Sequence, residues 1–231
     1  EKFNRDFIDR GLGDGFPLVA PTPRLVEAFL KNVDQDPLEV VGYLAPGEGA
    51  ATVEKVAINA AMAGCEPEHL PVLIAAVEAV TLTPQNIFPT RTIAMSTGPH
   101  AMMMLVNGPV VQQLGINSGR CTLGPGKPGR VNTALGRALR LILMNVGHCY
   151  AGSGDMDTIG SPLKYSMCLA ENEGESPWEP FHVERGFQKD QSTVTVFGTL
   201  DILHNANYQR DTSQLLLAWA ARASAAGAYP P

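Results

Sequence analysis

Residues 105–146 read LVNGPVVQQLGINSGRCTLGPGKPGRVNTALGRALRLILMNV. An apolar strand is predicted to end at Val106-Asn107-Gly108-Pro109, a glycine-rich loop follows, and a long helix is predicted to begin near Asn132. Because unpaired backbone N–H groups and the positive end of the helix dipole point the same way, such a junction can hold an anion or a polar ligand. The stretch therefore predicts where a site lies, but it does not predict which reaction takes place there.

Composition narrows the class of protein. Lys and Arg total 17 against 23 Asp and Glu, a formal net charge of −6, which argues against a nucleic-acid-binding face. No apolar run reaches the roughly 18 residues that a membrane span requires, and the charged start EKFNRDFIDRG lacks a signal-peptide core. The widely spaced cysteines contain no Cys-x-x-Cys pair, so a reduced, cytoplasmic protein is expected rather than a disulfide scaffold.

Periodicity and the placement of Pro and Gly predict a single α+β domain over residues 1–231, with a mixed sheet, a packed helix pair and a long central helix. Residues 1–22 are predicted to be an extended N-terminal arm, because Pro17 and Pro21 exclude a helix near its end. Helices are predicted at 23–33, 52–63, 67–80, 132–146 and 212–225. Strands are predicted at 39–44, 92–97, 101–106, 164–170 and 192–200.

The glycine-rich loop matches GxGxxG over residues 124–129. However, Pro128 falls where the dinucleotide-binding fold begins its helix, and Lys127 is not followed by Ser or Thr as in a P-loop. Two interpretations remain open. The loop is either a plain glycine–proline turn or a nest for a carboxylate or phosphate, assisted by Lys127 and Arg130.

Three arginines lie toward one side of the long helix, since Arg130, Arg137 and Arg140 are spaced close to whole turns. They form either a solvated basic stripe or a carboxylate clamp that pairs with the acidic segment 171–184. Gly136 costs helix stability of up to about 1 kcal/mol relative to Ala. A packing reason for this glycine is therefore favoured over a ligand-binding one.

Cys65 precedes the helix that Pro67 opens, where the helix dipole stabilises a thiolate. His69, about one turn further on, is a candidate base for this thiol, whereas Glu66 and Glu68 oppose its ionisation. The balance predicts a pKa below the ordinary thiol value if the glutamates face solvent. The alternative is a small buried cysteine with a surface histidine, and a zinc-binding pair is a minor third interpretation.

The segment 171–185, ENEGESPWEPFHVER, concentrates carboxylates around Trp178, Phe181 and His182. It has no clean period. Its groups can position a substrate and supply general acid–base chemistry. The alternative is an acidic, solvated loop whose aromatic side chains are buried in the core.

Several stretches taken together resemble one known family. They are DGFPLVAPTPRLVEAFL (14–30), ATVEKVAINAAMAGCEPEHLPVLIAAVEAV (51–80), LVNGPVVQQLGINSG (105–119), LGRALRLILMNVG (135–147) and CLAENEGESPWEPFHVERGF (168–187). The set resembles the domain associated with the UGSC family, where it stands beside, or is fused to, a small redox-like domain with a selenocysteine/cysteine-Gly-Ser-Cys motif. No Cys-Gly-Ser-Cys occurs here, so the resemblance implies that the redox half lies on a second chain or is absent.

These patterns together predict a subunit of a heteromeric enzyme of hydrolase or lyase type, acting on a small carboxylate-bearing organic molecule, with thiol chemistry at Cys65 or on the partner. One alternative is a non-catalytic subunit that presents substrate to a Cys-Gly-Ser-Cys redox partner. Another is a metal-dependent enzyme using Cys65, His69, His182 and the glutamates. No cofactor is assigned.

The predicted catalytic residues are Cys65, His69, Glu173 and His182. The predicted substrate-binding residues are Asn107, Asn117, Lys127, Arg130, Asn132, Arg137, Glu171 and Trp178. An oligomer is also predicted, because the alanine-rich pair 52–80 and the run Met102–Met104 offer more apolar surface than one small domain needs.

Overall fold

The structure is a computed structural model that describes residues 2–82, 95–202 and 211–226. The chain falls into two compact units that divide after Leu200, and each unit is described by itself. The first unit combines helices with a two-stranded and a three-stranded sheet. The fold class is therefore α+β, as the sequence predicts.

The elements of the first unit, within the described residues, are these. Its helices are α1 (Lys2–Asp9), α2 (Pro23–Leu30), α3 (Val53–Ala63), α4 (Leu70–Leu82), α5 (Val110–Gln113), α6 (Arg130–Asn145) and α7 (Phe181–Glu184). Its strands are β1 (Val40–Leu44), β2 (Gly49–Thr52), β3 (Ala101–Asn107), β4 (Cys168–Ala170) and β5 (Thr193–Thr199). In the second unit, α8 (Thr212–Ala226) forms where a helix is predicted.

Local capping signals set several helix boundaries where the sequence predicts them. The hydroxyls of Thr22 and Thr52 accept hydrogen bonds from the first turns of α2 and α3, as N-cap residues do. Gly64 ends α3 in the left-handed conformation, at φ 84°, which glycine adopts without a steric penalty. A 3₁₀ turn at Pro67–His69 leads into α4.

The prediction of an extended N-terminal arm is wrong for residues 2–9, which form α1. The first proline of the arm is Pro17, so the residues before it are not prevented from forming a helix. Phe3 and Phe7 are four positions apart and their ring centroids lie 4.5 Å from each other. Both rings pack against the core, and this packing stabilises α1. A prediction based only on the positions of proline takes no account of it.

The predicted strands are confirmed in part. β1, β3 and β5 lie within a residue or so of their predicted bounds. The predicted strand 164–170 shortens to β4, because Ser161 caps a 3₁₀ turn at Pro162–Lys164. The predicted strand 92–97 is wrong over 95–97, which form no strand; residues 92–94 lie outside the described residues. β2, which pairs with β1 in an antiparallel hairpin, was not predicted.

The helix pair and the long helix make the core. α3 packs against α2, α4 and α6, and most of its side chains are buried. Met104 is fully buried and Met102 packs against the same core. The apolar surface that suggested an oligomer is therefore used inside the chain. Those residues give no reason to expect an interface, and the oligomer stays a prediction.

The three-stranded sheet has the order β4-β3-β5, with β3 parallel to β4 and antiparallel to β5. Met104 and Val106 face the core, so Asn107 belongs to the opposite face by strand alternation. Asn107 is paired in register with Thr193 on β5. Val106 is paired with Ala170, which brings the next residue, Glu171, beside Asn107. The ends of three strands therefore place polar residues at one edge of the sheet.

Gly136 has a packing role. A Cβ atom at this position would lie 2.5 Å from the backbone nitrogen of Met167 and 2.6 Å from Ser166 Oγ. α6 therefore approaches the segment before β4 more closely than any other residue at position 136 would permit.

Within the described ranges, no helix combines the length and the apolar character that crossing a membrane requires.

Candidate functional site

Asn107 joins two carboxylates at the edge of the three-stranded sheet. The side chain is fully buried, at 0% exposure. Its Nδ2 donates one hydrogen bond to Glu171 Oε2 and another, of 3.1 Å, to Glu173 Oε1. Because both partners are acceptors, the amide orientation is fixed: the reverse orientation would face Oδ1 toward two carboxylates.

Backbone N–H groups hold the same two carboxylate oxygens. Gly108 N donates to Glu173 Oε1 over 2.8 Å, and Phe181 N donates to Glu171 Oε2 over 2.8 Å. Gly108 has a φ of +83°, and a Cβ there would lie 2.2 Å from the carbonyl oxygen of Gln191. Glycine is therefore required for the backbone to present this donor.

His182 lies next to Glu173 and forms, with Asn107, Glu171 and Glu173, a cluster of four polar side chains. It is 1% exposed, and its Nδ1 lies 3.7 Å from Glu173 Oε1. Neither ring nitrogen has a hydrogen-bond partner among the described residues, and the same holds for Asn107 Oδ1 and Thr193 Oγ1. Buried polar atoms are nearly always paired. These four side-chain atoms are therefore exceptions to the usual pairing of buried polar groups.

An open groove of about 750 Å³ runs along the cluster. Glu171 and Glu173 line one part of it, the segment 108–118, which includes α5, lines another, and Lys189 also contributes. This volume fits a small organic ligand. Among the described residues, the second oxygen of each glutamate has no hydrogen bond and Lys189 has no ion pair. These groups are therefore available to a molecule in the groove.

Four predicted site residues are thus brought together: Asn107, Glu171, Glu173 and His182. A fifth, Asn117, lines the same groove. Its side chain bridges Gly119 N and the Arg120 carbonyl, which shapes the loop. Trp178, another predicted substrate-binding residue, is 79% exposed and is not among the described residues that line the groove.

Asn132 has a positioning role. It is fully buried, its Oδ1 accepts from Asn117 N over 2.8 Å, and its Nδ2 donates to the Asn117 carbonyl over 2.9 Å. The first turn of α6 therefore clamps the loop that lines the groove. Both ends of the carboxamide already have hydrogen-bond partners within the protein. The predicted contact of Asn132 with substrate therefore stays a prediction.

The arginines of α6 do not form the predicted clamp with segment 171–184. Arg130 pairs with Glu66 over 2.9 Å at the surface, and Arg140 pairs with Asp155 over 2.9 Å. Arg137 binds both oxygens of Asp14. The prediction is wrong because residues from distant parts of the chain supply the carboxylates. The solvated stripe is also wrong for Arg137 and Arg140, whose side chains are largely buried.

The glycine-rich loop is a compact turn. Gly129 packs directly on Gly124, where a Cβ would lie 2.6 Å from backbone atoms. Lys127–Gly129 forms a 3₁₀ turn that continues into α6. Lys127 is exposed and Arg130 is engaged by Glu66. The plain-turn interpretation agrees with this geometry, and anion binding at Lys127 and Arg130 stays a prediction.

The predicted activated thiol is contradicted. Cys65 is 7% exposed; burial, with smaller contributions from Cys168 and Glu66, raises its pKa far above the ordinary thiol value. His69 is buried rather than at the surface, and its Nδ1 accepts a hydrogen bond from Glu66 N over 3.1 Å. Burial also lowers the pKa of His69, against the opposing effect of Glu66. The dipole argument failed because desolvation outweighs it.

Sequence reasoning missed a buried charge cluster beside α6. Lys164 Nζ lies 2.8 Å from Asp155 Oδ1 and 2.7 Å from Asp157 Oδ2, and all three side chains are largely buried. Arg140 joins through Asp155. The cluster borders a cavity of about 500 Å³. The sequence feature that could have indicated this cluster is the pair of aspartates two positions apart in the loop 148–163. The charges compensate one another, so the arrangement is that of a structural clasp.

The burial of Asp157 would by itself raise the pKa of its carboxyl group. The hydrogen bond from Lys164, together with those from the backbone N–H groups of Gly160 and Ile159, outweighs burial and lowers the pKa to about 2. The same balance of burial against Lys164 and Arg140 lowers the pKa of Asp155. Both aspartates therefore stay ionised in the folded protein, as a clasp requires.

The metal-dependent alternative required Cys65, His69, His182 and the glutamates to converge. In residues 2–82, 95–202 and 211–226, no three His, Cys, Asp or Glu side chains are arranged so that they could hold a metal ion.

Comparison with known proteins adds no family assignment. No family model matches the chain, and neither a curated protein nor a solved structure is significantly similar to it. The resemblance to the UGSC-associated domain therefore stays a prediction from the sequence.

Proposed function

We propose that this chain is an enzyme subunit that binds a small organic molecule in the groove beside Glu171 and Glu173 and transfers a proton during its conversion. The observation that carries the proposal is the pair of anchored carboxylates, backed by a buried histidine whose ring nitrogens have no partner within the described residues. Such a combination of an open groove with convergent acid–base groups is typical of catalytic sites.

In this proposal each residue has a separate task. Glu173 accepts or returns the proton, because one of its oxygens is held by Gly108 and Asn107 while the other is available to the groove. His182 Nδ1 lies 3.7 Å from Oε1, the oxygen that Asn107 and Gly108 hold, so His182 exchanges that proton with Glu173 only after the carboxyl group turns. Asn107 fixes the distance between the two carboxylates. A lyase or a hydrolase step uses a base placed in this way.

Thiol chemistry, if the reaction includes it, is assigned to a partner chain. Cys65 is buried with a raised pKa, and a thiol of this kind is inert as a nucleophile. The proposed partner is a second chain with a Cys-Gly-Ser-Cys motif, as the family resemblance implies. Co-purification of such a chain with this one, retained at physiological salt, is the expected result.

A second candidate function is a non-catalytic subunit that presents the bound molecule to that partner. The exposure of Trp178, at 79%, favours it, because this indole lies in the segment between Glu173 and His182 and large exposed aromatic side chains are common at protein–protein interfaces. The two functions differ in one measurable property: the isolated chain turns its ligand over in the first and does not in the second.

The test incubates the purified chain with a protein-free extract of small molecules and follows their concentrations by mass spectrometry. The expected result is that the wild type depletes one compound and that Glu173→Gln does not deplete it. Glu179→Gln is the matched control, because it is the same substitution in the same segment and Glu179 is exposed. Depletion that is equal in all three proteins, or a complete absence of both depletion and binding, would contradict the proposed function.

A further inference from the structure

The carboxylates of the groove carry charge that the surrounding protein does not neutralise. Glu171 and Glu173 accept hydrogen bonds from one amide group, so their charges lie close together. In the described part of the chain, neither forms an ion pair with a lysine or arginine. Two carboxylates this close repel each other, and a cation between them relieves that repulsion.

The uncommitted acceptors near this point also match a particular donor group. They are one oxygen of Glu171 and one oxygen of Glu173, the two glutamates that line the groove. A primary ammonium has three N–H donors and no acceptor, so it can bind both free oxygens and donate its third hydrogen bond to solvent in the open groove.

We propose that the groove recognises a small molecule with a protonated primary amine, whose ammonium group binds the free oxygens of Glu171 and Glu173 that line it. This inference rests on the proposed function and names the substrate class of the same site. Lys189, which lines the groove and has no ion pair among the described residues, binds a carboxylate at the other end of the molecule. The substrate class is therefore a small amino-carboxylate.

A metal ion would also neutralise the two carboxylates, but it would offer no partner to Lys189, which lines the same groove. A simple carboxylate would place a third negative charge beside Glu171 and Glu173. A neutral polyol would satisfy the acceptors but leave the charges uncompensated. The chemistry of the acceptors therefore favours an organic ammonium over these three classes.

The test is isothermal titration calorimetry with probes that separate the two ends of the ligand. The probes are β-alanine, γ-aminobutyrate and δ-aminovalerate as amino-carboxylates, n-butylamine as the amine alone, butyrate as the carboxylate alone, and glycerol as the neutral control. The expected result is binding of n-butylamine and tighter binding of the amino-carboxylate with the best length, whereas butyrate and glycerol give no heat.

Variants assign each end of the probe to its residue. Glu171→Gln is expected to weaken n-butylamine binding roughly 10- to 100-fold, the loss associated with one charged hydrogen bond. Lys189→Gln is expected to weaken the binding of the amino-carboxylate and to leave the binding of n-butylamine unchanged. Glu179→Gln is the control and should bind both as the wild type does. Thermal unfolding of each variant confirms that it is folded.

The outcomes separate this inference from the proposed function. Binding of butyrate or glycerol as tight as that of n-butylamine, with no effect of Glu171→Gln, overturns ammonium recognition, and so does the absence of heat with every probe. In either case the proposed function stands if the extract experiment still shows a compound depleted in a Glu173-dependent way. It falls with the inference if that depletion is also absent.

Discussion

Asn107 and Glu171 meet at the ends of the parallel strands β3 and β4, where the carboxamide of the first donates a hydrogen bond to the carboxylate of the second. The contact joins residues that are 64 positions apart. Through the same nitrogen Asn107 also binds Glu173. One buried amide therefore sets the geometry of both carboxylates at the groove, and its replacement provides a sharp test of the site.

Asn107→Asp replaces a donor by a third carboxylate of the same shape. We expect the free energy of unfolding to fall by about 3 kcal/mol, because two hydrogen bonds to charged groups are lost and repulsion takes their place. Urea denaturation followed by circular dichroism measures the change.

The double variant Asn107→Asp with Glu173→Gln should recover part of this loss, since the new amide can donate to the new carboxylate. Asn107→Asp combined with Glu179→Gln should recover nothing. A single Asn107→Asp protein as stable as the wild type would show that the observed hydrogen bonds do not organise the site.

Cys65 is expected to resist alkylation in the folded protein. Burial raises its pKa, so iodoacetamide at any pH from about 5 to 9 should not modify it until the chain is unfolded. Cys121 is an internal control because it is exposed and should react under the same conditions. Peptide mass spectrometry locates the modification. Native-state reaction of Cys65 with a midpoint near pH 7, abolished by His69→Ala, would restore the activated-thiol interpretation.

Gly136→Ala is expected to destabilise the protein by about 1–3 kcal/mol although alanine is the better helix former. The added methyl group would overlap the backbone of Met167 and the hydroxyl of Ser166, and overpacking against backbone has a cost of this size. Gly174→Ala is the matched control, because no atom lies within 4 Å of a Cβ at that position. Equal midpoints of thermal unfolding for the two variants would contradict the close approach of α6 to the segment before β4.

The sequence predicted elements with strong local signals and missed features that depend on distant residues. Thr22, Thr52 and Gly64 set helix ends through hydrogen bonds or backbone conformation within a few residues, so these boundaries were accessible. Arg137 pairs with Asp14 across 123 positions, and no periodicity encodes such a pairing.

The candidate site was predictable in part for the same physical reason. The residue types in segment 171–185 indicated acid–base chemistry and identified Glu171, Glu173 and His182. Their convergence on Asn107 follows from the register of β3 with β4 and β5, which a single sequence does not reveal. The Cys65 prediction failed because a helix-dipole argument from sequence carries no information on burial.

The charge cluster around Lys164 should make stability depend on acid pH. The pKa of Asp157 falls from 3.8 to about 2 on folding. Because the folded-state pKa is the lower one, its stabilising contribution is fully present above pH 4 and is lost as the pH falls toward 2.

Asp157→Asn should therefore lower the melting temperature at pH 7, and the difference from the wild type should shrink between pH 4 and pH 2. Differential scanning calorimetry at several pH values measures it. Asp34→Asn is the control, since Asp34 is exposed and has no ion pair in the described residues. A difference that stays constant down to pH 2 would argue against the clasp.

The most direct test of the central claim, that a small molecule binds where β3 and β4 end, is a nuclear magnetic resonance titration. It follows the side-chain amide of Asn107 and the backbone amide of Gly108 while fractions of a protein-free extract are added. We predict that one fraction shifts both signals in the wild type and in Glu179→Gln, and that the shift is lost in Glu173→Gln. Shifts confined to the cavity beside Lys164, or unchanged in Glu173→Gln, would contradict the account.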